Sequence, residues 1–131
     1  RQCDNALELA RFLQGLGGDI EVNYPGLEKS PYHEIAENQF RNGYGAIVTV
    51  RTGSKEKAFS IINSLKIPLI ISNIGDTKTL VIHPESTIAA HISDEEKLQS
   101  GVFEDLIRIS VGIEDIEDLK EDFKQAIENN R

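Results

Sequence analysis

The chain has 131 residues, 39% of them hydrophobic and 27% charged, with a net charge of −8 at pH 7. That balance suits one soluble domain with room for a core and not a disordered segment; the acidic excess argues against non-specific binding to nucleic acid or to an anionic membrane, both of which need a basic footprint. No apolar run approaches the ~18 residues needed to span a bilayer, no signal-peptide pattern is visible, and the single Cys3 offers neither a disulfide nor metal-ligand spacing, so a reducing, cytoplasmic setting is expected.

Leu9, Phe12, Leu13 and Leu16 follow helical spacing, and Gly15, Gly17 and Gly18 end that helix. The helix is under way within a few residues of Arg1, and the sequence holds no methionine; both point to a processed chain or a piece of a longer one. Ile20, Val22 and Tyr24 then alternate as in a strand, with a turn at Pro25-Gly26. Ser30 and Pro31 suit an N-cap and a first helical position for a helix carrying Ile35, Ala36 and Phe40. "GAIVTVRT" is the clearest strand.

Gly53-Ser54 launches a helix with an apolar stripe of Ala58, Ile61, Ile62 and Leu65. "IPLIIS" and "TLVIH" read as two short strands around a polar turn, "NIGDTK", and Pro84 ends the second. Ser93 and Glu96 form a capping box for a short helix that stops before Gly101. In "LIRISV" Ile107, Ile109 and Val111 share one face of a strand, leaving Leu106, Arg108 and Ser110 on the other. Ile116, Leu119, Phe123, Ala126 and Ile127 mark an amphipathic final helix, with Glu114 and Asp115 placed for its N-terminal dipole. The resulting order, α-β-α-β-α-β-β-α-β-α, predicts an α+β domain: a mainly antiparallel sheet with helices packed on one face. The other face, with Arg108, must be wet or covered by something else.

His33, His83 and His91 are too scattered for a metal site; His33 and His91 are expected in solvent, and His83, at a strand end, could be structural or line a site. No GxSxG, HExxH, CxxC or P-loop pattern occurs, and "GLGGDIE" precedes a strand instead of following one, against a dinucleotide site. The acids from Glu114 to Asp122 read as the solvated side of a helix. Arg108 is either a snorkelling surface arginine or an anion-binding fork. Asn73 and Gly75-Asp76 form either an ordinary tight turn or the second half of a carboxylate pocket, and spacing alone leaves both pairs of alternatives open.

The stretches "YPGLEKSPYHEIAENQ", "SNIGDTKTLVIHPEST", "SDEEKLQSGV" and "LIRISVGIEDIEDL", in that order across the chain, closely resemble the C-terminal domain of the cystathionine γ-synthase-like, pyridoxal-phosphate-dependent enzymes of cysteine and methionine metabolism. The resemblance implies that residues 1–131 are the small, substrate-binding domain of a longer fold type I chain. The N-terminal domain of that chain would hold the Schiff-base lysine and phosphate site, and the parent would be a homotetramer. No lysine here sits in the family's cofactor-lysine motif, so the chain alone is expected to hold no cofactor and to be inactive.

The resemblance also gives Arg108, in the family's "IR-[LIV]-S-V-G" pattern, the substrate α-carboxylate, with help from Asn73, two residues before the "GD" pair. Asparagine there leans toward O-acetylhomoserine sulfhydrylase, which makes homocysteine from O-acetylhomoserine and sulfide. Methionine γ-lyase is the runner-up, and cystathionine γ-synthase, which favours "GG", comes behind it. Ile88 and Ala89 depart from the family pattern after "HPEST". A free-standing module binding a small acid or another protein is the alternative of a different class.

Overall fold

A computed structural model describes all of residues 1–131. The elements run α1 (Gln2–Leu16), β1 (Glu21–Asn23), α2 (His33–Gln39), β2 (Ile47–Arg51), α3 (Lys55–Ser64), β3 (Leu69–Ile70), β4 (Leu80–Ile82), α4 (Asp94–Gln99), β5 (Leu106–Ser110) and α5 (Ile116–Glu128). The strands form one sheet in the order β1-β2-β5-β4-β3. Every pairing is antiparallel except β3 with β4. The expected α+β architecture is the observed one. No helix is long and apolar enough to cross a membrane.

Strand alternation sets what each face does. Val48, Val50, Val81, Ile107 and Ile109 point to one side and join Leu9, Leu13, Ile61, Leu119 and Phe123 in a single buried cluster under α1, α3 and α5. Registry puts Asn23, Thr49, Arg108 and Ile82 side by side across four strands on the opposite face. Burial of the helical side drives folding, while the Arg108 side is bordered by the segments before α2 and on either side of α4 and by the loop between β3 and β4.

Local chemistry explains most boundaries. Ser54 caps α3 by accepting from the Lys57 amide, and Ser93 and Glu96 make the reciprocal capping box on α4. Asp115 caps α5 through the Glu117 amide. Tyr24 is fully buried with its hydroxyl donating to the Gly45 carbonyl at 2.8 Å; burial pushes the phenol well above its ordinary range, so it stays a donor.

Several expectations are corrected. The α2 helix starts at His33 with Tyr32 as N-cap, not at Pro31: the Ser30 hydroxyl accepts from the Tyr32 amide and its carbonyl from His33, closing a turn ahead of the helix. "IPLIIS" contributes only Leu69–Ile70, and because β3 runs parallel to β4, residues 71–79 form a return loop instead of a tight turn. Parallel neighbours cannot be joined by a hairpin, so the chain must travel back before β4 begins.

The acidic run is not uniformly solvated either. Asp122 is buried and accepts from the Lys66 and Ile67 amides, tying α5 to the segment after α3. Glu114 accepts from both the amide and the hydroxyl of Thr79, at 2.8 Å each. His33 is half-buried, bonded through Nδ1 to the Pro25 carbonyl at 2.8 Å and set against the Tyr44 ring. A buried amide or an adjacent carbonyl claimed each of these polar groups, which periodicity cannot reveal.

Glu85 lies between Lys55 and Lys97, at 3.0 and 3.1 Å, joining α3, the loop after β4 and α4. The hydrogen bonds from Lys55 and then Lys97 hold its carboxyl below the usual 4.5. A depressed carboxyl contributes stability that is present above the unfolded-state value and is lost as pH falls through the folded one. Glu85→Gln should therefore lower the unfolding free energy at neutral pH by about 1–2 kcal/mol for a triad between exposed and buried limits, read as a lower denaturation midpoint. It should also reduce the loss of stability below pH 4.5; parallel acid limbs for the two proteins would contradict the triad's contribution.

Candidate functional site

The open face of the sheet forms the floor of a cleft of about 950 Å³. Asn23, Thr49, Arg51, Leu106 and Arg108 line it from the strands, with Leu27, Pro31 and Tyr32 on one side and Pro84, Ile88, Val102 and Phe103 on the other. Two arginines face this space, and the fold treats them differently. Arg51 is neutralised: its Nε meets Asp105 Oδ1 at 3.1 Å, and its guanidinium lies 4.0 Å from the centre of the Phe103 ring. Asp105 is buried and also accepts from the Gly53 amide at 3.0 Å.

Arg108 takes part in none of the ion pairs, in a chain with 22 acidic residues. Its Nη2 donates only to backbone oxygens, Ser72 at 3.2 Å and Asn73 at 3.5 Å, leaving Nε and Nη1 without acceptors in the chain. The structure thus brings together Arg108 and Asn73, which are 35 positions apart. The Asn73 Oδ1 accepts from the Ile74 amide at 2.9 Å, which leaves the Nδ2 donor uncommitted. Gly75 follows with φ +74°, a conformation that glycine adopts without a side-chain penalty. The hydrogen bond from the Lys78 amide holds the Asp76 carboxyl below its ordinary range, keeping it an acceptor inside the loop.

The return loop is anchored from outside by contacts that sequence reasoning did not anticipate. Thr79, fully buried, gives its amide and hydroxyl to Glu114 and accepts the Gly112 amide at 2.9 Å. The Ile113 amide donates to the Thr77 carbonyl at 2.8 Å. Gln2 reaches the Asp76 carbonyl from α1, and the Ser110 hydroxyl accepts from the Gly75 amide at 3.2 Å. The one signal for them in the sequence is the polar pair Arg108 and Ser110 on the same face of an apolar strand.

Other candidates fall away from the cleft chemistry. His83 is buried, bonded to Ser86 Oγ at 2.7 Å and the Glu104 carbonyl at 2.6 Å, with Phe59 against its ring, which makes it structural. His91 is exposed, as expected. Ile88 is half-exposed and lines the same cleft as Arg108, whereas Ala89 is buried and donates its amide to the Pro84 carbonyl, so the two departures have unlike surroundings. Arg108 is the cleft's one guanidinium free of acids; Lys29, exposed and in no ion pair, also lines it, whereas Lys55, Lys57, Lys97 and Lys120 are each paired with carboxylates. The Arg108 fork can receive a carboxylate.

Residues 1–128 match the model of a family described as Cys/Met metabolism PLP-dependent enzyme, where PLP is pyridoxal phosphate. The chain is 41% identical over 129 residues to homocysteine synthase of Schizosaccharomyces pombe, covering 98% of itself and 30% of that relative. It is 41% identical over 128 residues to O-acetyl-L-homoserine sulfhydrylase 1 of Thermus thermophilus, covering 97% of itself and again 30% of the relative. The crystal structure of cystathionine gamma-lyase from yeast superposes with a TM-score of 0.92 at 35% identity, over 97% of this chain and 33% of the other. The chain therefore spans about a third of the length of these relatives. By this match along almost its whole length, it belongs to the pyridoxal-phosphate-dependent enzymes of cysteine and methionine metabolism.

Proposed function

We propose that residues 1–131 are the C-terminal, substrate-binding domain of a longer pyridoxal-phosphate-dependent O-acetylhomoserine sulfhydrylase, in which Arg108 and Asn73 receive the α-carboxylate of the amino-acid substrate. The observation that carries this reading is the state of Arg108: a half-buried guanidinium, in no ion pair in an acidic chain, with Nε and Nη1 open, held by the backbone carbonyl of an asparagine whose own side-chain amide is uncommitted. A carboxylate is the anion whose two oxygens match such a fork. The names of the relatives, homocysteine synthase and O-acetylhomoserine sulfhydrylase, support the choice of substrate.

In this reading the domain's own contribution is grip and orientation. Arg108 fixes one end of the substrate, Asn73 adds a neutral donor to the same group, and the apolar wall at Ile88 and Val102 faces the substrate side chain. Holding the carboxylate in one geometry converts binding into alignment of the bonds at Cα. The cofactor, which lends an electron sink to the substrate amine, is held by the rest of the polypeptide, and that N-terminal part also covers the cleft.

The test is made on the full-length protein. Offered O-acetylhomoserine with sulfide, it should form homocysteine. Release of α-ketobutyrate and methanethiol from methionine alone, without homocysteine synthesis, would move the assignment to a γ-lyase and leave the carboxylate site standing.

A further inference from the structure

Ser110 lies two residues after Arg108 on the same face of β5 and is 1% exposed, beside Ile47 and Leu80 on the neighbouring strands. A position in that setting is filled most cheaply by an apolar side chain, and a hydroxyl there needs a partner. Its partner is the Gly75 amide, at 3.2 Å. The base of the return loop is fixed independently, by Thr79 on Glu114 and by the Ile113 amide on Thr77. Between that base and β3, the side chains that bind the stretch from Ser72 to Asp76 from outside it are Arg108, Ser110 and Gln2. Of these, Ser110 is the one held rigidly inside the sheet. Arg108 is itself a long side chain that takes its aim from the Ser72 and Asn73 carbonyls.

We propose that Ser110 is a positioning residue for the carboxylate site: by holding the Gly75 amide it sets the Ser72-Asn73 peptide against Arg108, and so fixes the aim of both the guanidinium and the Asn73 amide. This rests on the reading of Arg108 as the carboxylate-binding residue. Without the hydroxyl, the loop keeps its base but loses its tie to β5. Arg108 then follows carbonyls that are no longer fixed, and the substrate meets donors spread over several directions. The loss falls on binding of the carboxylate, so it should raise KM more than it lowers kcat.

The experiment compares Ser110→Ala, Ser110→Thr and Arg108→Ala in the full-length holoenzyme, with O-acetylhomoserine and sulfide as substrates. Competitive inhibition is measured in parallel with an amino acid and with its carboxamide. Ser110→Ala should raise KM about tenfold with kcat within about threefold, and should narrow the preference for acid over amide. Ser110→Thr, which keeps the hydroxyl, should restore most of the KM. Should the alanine variant fail to fold, Ser110→Cys, similar in volume but a weak acceptor, takes its place with the same expected split. If Arg108→Ala is crippled while Ser110→Ala keeps the KM and the acid-to-amide preference of the wild type, the role of Ser110 is overturned. Equal loss in Ser110→Ala and Ser110→Thr overturns it too. An unimpaired Arg108→Ala overturns the carboxylate reading itself, and with it the role of Ser110.

Discussion

Arg108→Ala in the full-length protein should lower kcat/KM for the amino-acid substrate by roughly 30- to 1,000-fold, the equivalent of about 2–4 kcal/mol for a lost two-point, charge-assisted contact. The expectation follows from what the side chain already does without a ligand. It donates to two backbone carbonyls, a role that leaves most of the fork unused and does not neutralise it. Arg108→Lys should recover the charge but not the planar fork, and so fall between wild type and alanine. Because Arg108 belongs to neither the core cluster nor an ion pair, its removal should leave the denaturation midpoint nearly unchanged. A full kcat/KM in the alanine variant would show that the guanidinium only trims the loop.

Gly112→Ala is expected to have the largest effect on stability among substitutions that delete no side chain. A methyl group at this position would lie 2.6 Å from the carbonyl carbon of Lys78, and closer still to the Thr77 carbonyl oxygen. It would also crowd the Glu114 carboxylate. Two of these three neighbours are backbone, which cannot swing aside as a side-chain end can. The loop base must therefore move away from β5, stretching the Gly112 amide bond to Thr79 and the Thr79 bonds to Glu114. Overpacking of this kind costs about 1–3 kcal/mol, read as a lower urea midpoint at unchanged slope. The same displacement carries Asn73 away from Arg108, so substrate affinity should fall together with stability. A stable Gly112→Ala protein would mean that the loop base has slack that the close contacts do not suggest.

Alternation and capping made the frame of this domain legible. The apolar phase of Ile107, Ile109 and Val111 placed Arg108 on the open face, and the serines at 54 and 93 marked two helix starts, where their hydroxyls do accept hydrogen bonds from the Lys57 and Glu96 amides. Both are local signals, carried by neighbours within a few residues. The parallel pairing of β3 escaped because two strand residues leave no period to read. Asp122 escaped for a different reason: on a helical wheel it is one acid among several, and only the approach of the Lys66 and Ile67 amides, more than fifty positions away, distinguishes it. Of the candidate site, the two residue identities came from resemblance, while their juxtaposition depends on a loop whose path is set by Thr79, Gly112 and Ser110. Side chains that act by holding a backbone at long range carry no spacing rule.

The position of β5 has a consequence for how the chain acquires its shape. It is the middle strand, yet it is made last, after both of its neighbours, and it pairs across 59 positions with β2 at Thr49 and Arg108. The Asn5 amide must likewise wait for the Gly112 carbonyl, 107 positions on. Contacts this distant make for a high contact order, with loop-closure entropy spent before the sheet returns any of it, and so for slow folding. Until β5 inserts, β2 and β4 each present an open, apolar edge during synthesis, the state in which chains pair with the wrong partner. The residue that would grip the substrate sits on the strand whose arrival ends that exposure.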